Sequence, residues 1–184
     1  MFRRALIGLL ATVSTTAALV AGTAPQAAAD VHAAVVTITY SDASAGEFKD
    51  AVARGVAIWN ASVTNVRIVK AAAGQRADVR VIADDGWPRA TLGPVRPGGS
   101  GTVWMGRQAV NDGYSVVRIA SHEFGHILGL PDRRTGLCAD LMSGSSAPVS
   151  CRNDRPNAAE ARQVNNLFAG SLVAAAPATF SWES

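Results

Sequence analysis

The chain has 184 residues, with 17 Lys and Arg against 14 Asp and Glu and a net charge of +3. That is room for one domain plus tails. Hydrophobic residues make up 48%, so a core is available and wholesale disorder is excluded; no heptad, fixed-period repeat or long charge block is present.

Residues 1–29 read as a secretory signal. Arg3 and Arg4 supply the positive start, residues 5–20 the apolar stretch, and Ala27-Ala28-Ala29 a small-residue cleavage site. A membrane anchor is the weaker reading, because Thr12, Ser14, Thr15 and Thr16 interrupt the run and it is short of about 20 apolar residues. A twin-arginine signal is also weaker, since the residues flanking Arg3-Arg4 fit it poorly. Losing Arg3 and Arg4, and no acid, takes the net charge from +3 to +1. With no basic stripe and no interleaved aromatics, nucleic acid is not an expected partner. Nor is a membrane in the mature form: the expectation is a soluble extracellular domain over residues 30–170 with a tail over 171–184, monomeric by default.

Val, Ile and Thr between Ala33 and Tyr40 predict a strand. Ser44 and Glu47 have capping-box spacing. Phe48, Val52, Gly55, Val56 and Trp59 then recur at helical spacing and predict one buried face. Short strands are expected over 66–69, 77–83 and 102–105. Between them, 84–101 carries three Pro and five Gly and reads as a long loop. Tyr114 or Ser115 should open a second helix reaching Leu128, stopped by Gly129 and Pro131. Residues 132–157 show no period and read as loop. Asn157 and Glu160 repeat the capping pattern before a last helix with Val164, Leu167 and Phe168 as its buried stripe. The order predicts an α/β or α+β domain with helices packed on one mixed sheet.

Export changes how the two cysteines read. Outside the cell, Cys138 and Cys151 are expected to pair, closing a short loop worth about 3 kcal/mol in the chain-entropy model. A metal pair is the alternative, and their spacing fits no zinc-thiolate pattern.

The informative stretch is His122-Glu123-Phe124-Gly125-His126-Ile127-Leu128-Gly129-Leu130-Pro131-Asp132. Two His four apart on a helix stack on one face and can share one zinc ion. Glu123, turned by about 100° from His122, stands beside the metal, where a carboxylate can take a proton from an activated water. Catalytic zinc takes three protein ligands. The only other His is His32, at the start of the mature chain, so a carboxylate is the better third ligand. Gly129 can adopt positive φ and let the chain double back, bringing Asp132 near the metal. Against this stands the reading of both His as ordinary core or surface residues.

The same stretch resembles the His-Glu-x-x-His-x-x-Gly-x-x-Asp signature of the snapalysins, small secreted bacterial metalloproteases of the metzincin type. Residues Ala139-Asp140-Leu141-Met142-Ser143-Gly144 resemble their Met-turn, and the likeness runs from about Val35 to Gly170, including Ile58-Trp59-Asn60. The resemblance implies a metzincin-like zincin: a twisted mixed sheet, an active-site helix, a Met-turn and a C-terminal helix. It implies one zinc ion on His122, His126 and Asp132, Glu123 as general base, Met142 as the apolar floor, and protein or peptide substrates with an aromatic residue after the scissile bond.

Two positions depart from the family pattern. Arg134 stands where these enzymes usually carry a Tyr that steadies the tetrahedral intermediate; its guanidinium could donate to the oxyanion. Ser115 and Val117 stand where the family places an acidic residue and a Thr around calcium, so calcium is not supported. No propeptide-controlled latency is expected. Trp87, Trp104 and Tyr114 are candidate pocket walls or ordinary packing aromatics, and Thr102–Met105 is a candidate edge for an extended substrate. The rivals to a peptidase are a catalytically impaired zinc-binding secreted module and an interaction domain in which the motif is incidental.

Overall fold

The computed structural model describes residues 35–169 and 178–181. The proposed signal over 1–29, His32 and most of the 171–184 tail lie outside the described residues. Six strands form one sheet: β1 (Val36–Ser44), β2 (Val66–Lys70), β3 (Val79–Asp84), β4 (Arg89–Leu92), β5 (Gly101–Gly106) and β6 (Ala178–Ser181). Their spatial order is β2-β1-β3-β5-β4-β6. The first three pairings are parallel; β4 runs antiparallel to both β5 and β6, so the sheet is mixed, as expected. In β1, Ile38, Tyr40 and Asp42 are buried at alternate positions, the period of a pleated strand with one face covered. Central β5 is buried at almost every residue, as befits a strand covered on both faces.

Among the described residues, four α-helices join these strands: α1 (Lys49–Ser62), α2 (Arg107–Asn111), α3 (Val116–Ile127) and α4 (Ala158–Ala169). Val52, Gly55, Val56 and Trp59 are buried on α1, the face the spacing predicts. Helix α1 packs on α3, and Gly55 is why they approach so closely: a Cβ there would lie 3.0 Å from the backbone N of Ser121. The fully buried Trp59 donates its indole N–H to the Ser121 carbonyl at 2.7 Å. Helix α3 is buried from Val117 to Ile127, so its polar residues sit inside the protein. It also packs on β4 and β5, and Phe124 meets Tyr40 edge-on at 5.9 Å.

Several elements differ from expectation. Ser44 and Glu47 form no capping box. Strand β1 runs on through Ser44, a 3-10 turn over Gly46–Phe48 leads into α1, and neither cap carries a side-chain bond. Glu47 pairs instead with Arg107 at 2.6 Å, a charge-assisted contact that a backbone amide does not match. Strand β4 lies inside the expected long loop, and β6 lies inside the expected tail. Thr102–Met105 is no edge: β5 is paired by β3 on one side and β4 on the other. By contrast, Asn157 and Glu160 do form a reciprocal cap. Asn157 Oδ1 accepts from Ala159 and Glu160 N, and Glu160 Oε2 accepts from Asn157 N at 2.8 Å.

Trp59→Phe keeps the ring packing and removes the bond to Ser121. Urea unfolding should show a loss of about 1–3 kcal/mol; an unchanged midpoint would mean that this contact does not tie α1 to α3.

Candidate metal centre

Helix α3 is built to end under its own last turn. Ser115 caps its start by accepting from Arg118 N, and Gly129, at φ 99°, ends it. Gly129 N donates to His126 O at 2.8 Å and Leu130 N to Gly125 O at 2.9 Å, the paired bonds of a Schellman motif. This reversal aims the Leu130 carbonyl back at the helix, where it accepts from His126 Nδ1 at 2.7 Å. Leu141 O accepts from His122 Nδ1 at 3.0 Å in the same way. The last turn is also pinned to the sheet side: Gly93 N donates to His126 O and Val95 N to Ile127 O, at 2.7 and 2.9 Å.

A carbonyl oxygen can only accept, so each Nδ1 carries its proton. In a neutral ring, Nε2 is then a lone pair. The two rings stand 4.6 Å apart and nearly perpendicular. Both Nε2 atoms face Asp132 Oδ1, at 3.1 Å from His122 and 3.5 Å from His126. Three electron-rich atoms thus converge within 4.8 Å of one another. With both rings neutral, such a cluster favours a proton or a metal cation between its members. Two imidazole nitrogens and one carboxylate oxygen are a zinc donor set that leaves a fourth position for water or substrate. Burial, followed by the neighbouring His122, pushes the His126 imidazole down to about 3, so it is neutral and ready to ligate at any physiological pH.

Glu123 follows His122 and is fully buried, and neither carboxylate oxygen has a hydrogen-bond partner. Burial pushes its carboxyl well above the ordinary range, and the Asp132 charge pushes it further the same way. An unpartnered carboxylate inside a protein is expensive. Here it holds a raised affinity for a proton, a property that marks candidate functional carboxylates.

The floor of the site is the 3-10 segment Leu141–Ser146, bent at Gly144. Met142 is fully buried against α3: a Cβ on Gly125 would lie 2.5 Å from its Sδ. Gly144, at φ 58°, backs onto the donor cluster, since a Cβ there would come within 3.4 Å of both His122 and Asp132. Two buried charges clamp this floor. Arg118, one turn before His122, gives its guanidinium to the carbonyls of Asn153 at 2.6 Å and Asp140 at 2.8 Å, and more loosely to Cys138 and Leu141. From the opposite side, Glu160 accepts from Met142 N at 2.8 Å and Leu141 N at 3.2 Å. The disulfide Cys138–Cys151 closes the same loop, with Cα atoms 5.5 Å apart.

The structure thus brings His122, His126 and Asp132 together, with Glu123 buried next to His122 and sensing the Asp132 charge, Met142 under Gly125 of the same helix, and Arg134 donating from Nη2 to Asp132 Oδ2 at 2.9 Å. The expected pocket aromatics divide. Trp87 and Tyr114 meet edge-on at 6.3 Å, while Trp104 lies under the Arg89 guanidinium at 4.7 Å. Sequence reasoning missed Arg118 and the second duty of Glu160. Arg118 stands four residues before His122 on the same helix face, which was the available signal; nothing local announces that Glu160 reaches the floor.

Two outcomes follow from these environments. Because the Glu123 carboxyl is raised on folding, the metal-free protein loses stability as pH climbs above the ordinary carboxylate range. Metal-free Glu123→Gln should therefore unfold at higher temperature than metal-free wild type at pH 7, with the gap closing below the unfolded carboxylate range near pH 4; equal melting at both pH values would contradict this environment. Glu160→Ala strands three backbone N–H groups and should cost about 3 kcal/mol or more in urea unfolding; a loss under about 0.5 kcal/mol, typical of a surface change, would contradict the clamp.

Residues 35–171 match the Streptomyces extracellular neutral proteinase (M7) family. An extracellular small neutral protease of Streptomyces sp. strain C5 is 38% identical over 82% of this chain and 64% of its own length. The like-named protein of Streptomyces coelicolor is 36% identical over 90% of this chain and 75% of its own. That of Streptomyces caespitosus is 38% identical over 73% of this chain and 98% of its own. The chain thus spans less than two thirds of the strain C5 relative and nearly all of the Streptomyces caespitosus one. Among solved structures, high choriolytic enzyme 1, a hatching enzyme zinc-protease from Oryzias latipes, aligns at 24% identity with a TM-score of 0.40, covering 55% of this chain and 47% of that one. The match over most of its length makes this chain a member of the Streptomyces extracellular neutral proteinase (M7) family.

Proposed function

We propose that the chain is a secreted zinc-dependent metalloendopeptidase that hydrolyses peptide bonds in proteins or peptides. The observation that carries this reading is the buried, unpartnered carboxylate of Glu123 beside three convergent donor atoms. Family membership and the extracellular proteases among its relatives support it.

In this reading His122 Nε2, His126 Nε2 and Asp132 Oδ1 would hold one zinc ion, which would supply Lewis-acid polarisation and water activation. The chain's own residues do the rest. Leu130 O and Leu141 O keep both rings in the ligating tautomer. Glu123 takes the proton from the attacking water, its raised affinity for protons favouring that transfer. The same carboxyl then returns the proton to the leaving amine nitrogen. Met142, packed beneath Gly125, keeps the helix face carrying both His from sinking towards the loop below.

Finer features of the proposal are a preference for an aromatic residue after the scissile bond, which follows the family resemblance, a mature domain over residues 30–170 released from a signal over 1–29, which follows the residue pattern of that segment, and a monomer by default.

Glu123→Gln should retain one zinc per chain by elemental analysis while peptide hydrolysis falls by at least about 100-fold, the lower end for a lost general acid–base group. Retained hydrolysis would remove Glu123 from the mechanism, and a dialysed wild type without stoichiometric zinc would remove the metal.

A further inference from the structure

We propose that Arg134 is a positioning residue for Asp132: its guanidinium holds Oδ2, fixing the carboxylate so that Oδ1 alone is offered to the metal. The inference rests on the zinc reading above and assigns the residue a different duty from oxyanion binding.

Three observations carry it. First, the two oxygens of Asp132 are divided between different partners. Arg134 Nη2 donates to Oδ2 at 2.9 Å, while Oδ1 faces the two imidazole nitrogens at 3.1 and 3.5 Å. A free carboxylate rotates about its last torsion and can present either oxygen or both. One charge-assisted hydrogen bond to the outer oxygen removes that choice. Second, the pair is set half inside the protein: the Asp132 side chain is 8% exposed and that of Arg134 33%, so water competes little at the carboxylate. Third, Arg134 is the only non-glycine residue with positive φ among the described residues, at 43°. That conformation costs on the order of 1 kcal/mol or more for a side chain with a Cβ and persists where the surroundings enforce it.

Here the surroundings do enforce it. On one side, Arg133 N donates to the Met142 carbonyl at 2.8 Å. On the other, Thr135 Oγ1 donates to Asp140 Oδ2 at 2.6 Å and Gly136 N to Ser146 Oγ at 3.1 Å. The segment carrying ligand and guanidinium is thus stapled to the floor of the site on both flanks. The left-handed residue between the staples turns its side chain back onto a residue only two positions earlier. A Gly or Asn would take this backbone at lower cost, but neither would reach Oδ2 with a charged donor.

The test compares wild type with Arg134→Met and Arg134→Lys, using zinc itself as the probe. Zinc affinity is read by competition with a chromophoric chelator, and peptide hydrolysis is titrated against free zinc. Arg134→Met should weaken zinc binding by about 10-fold or more, the usual effect of losing a partner of a ligand, and should shift the half-activating zinc concentration by the same factor. Arg134→Lys should recover part of that affinity, since an ammonium can hold one oxygen as a point charge. Unchanged zinc affinity in Arg134→Met with a fall in kcat at saturating zinc would overturn the proposal in favour of oxyanion binding. Unchanged affinity and unchanged kcat would overturn it in favour of a surface ion pair. A wild type that takes up no zinc would instead overturn the functional reading itself, and this inference with it.

Discussion

Two backbone carbonyls decide what this site can do. Leu130 O and Leu141 O accept from the Nδ1 atoms of His126 and His122, and so turn both Nε2 lone pairs towards Asp132. Were either carbonyl displaced, the ring could rotate or take its other tautomer, and the convergence of donors would be lost. Much of the surrounding structure serves to hold these two oxygens in place. Leu130 O is fixed by the Schellman reversal at Gly129, which needs a residue free to adopt positive φ. Leu141 O is fixed by the clamped floor, for which Arg118 collects carbonyls and Glu160 collects amides.

Burying these charges is not a stability device. An Arg and a Glu inside a protein recover their lost hydration only when their hydrogen bonds are nearly all made. Arg118 and Glu160 spend most of those bonds on backbone between Cys138 and Asn153 that has no α-helix or sheet ladder to satisfy it. The loop is thereby tied down at several points, and the disulfide Cys138–Cys151 closes it. Glu123 is the exception that gives the site its purpose: buried as deeply, it is left with no hydrogen bond. Under the proposed function, stability is surrendered at the carboxylate that is assigned the chemistry.

What could be read beforehand follows the range of the interactions. The His122–Asp132 stretch was legible because its parts lie within eleven residues, and helix spacing, a Gly reversal and ligand chemistry all act at that range. The Asn157–Glu160 cap was legible for the same reason. Strand β4 was not: four residues between Pro88 and the Gly93-Pro94 pair show too little alternation, and only pairing with β5 makes them a strand. Strand β6 likewise exists by virtue of β4. The Ser44–Glu47 pattern misled because a distant partner, Arg107, offered Glu47 a stronger bond than the local amide. For Arg134 the sequence suggested an oxyanion donor; its bond to Asp132 Oδ2 depends on backbone geometry that no local pattern encodes.

The central claim is that His122, His126 and Asp132 close on a single zinc ion. Anomalous diffraction at the zinc edge, from crystals grown with the metal, addresses it most directly. One peak should lie about 2.0–2.2 Å from both Nε2 atoms and from Asp132 Oδ1, with Nδ1 of each ring still on its carbonyl. A peak elsewhere, no peak, or an Asp132 carboxylate turned away from both rings would contradict the account.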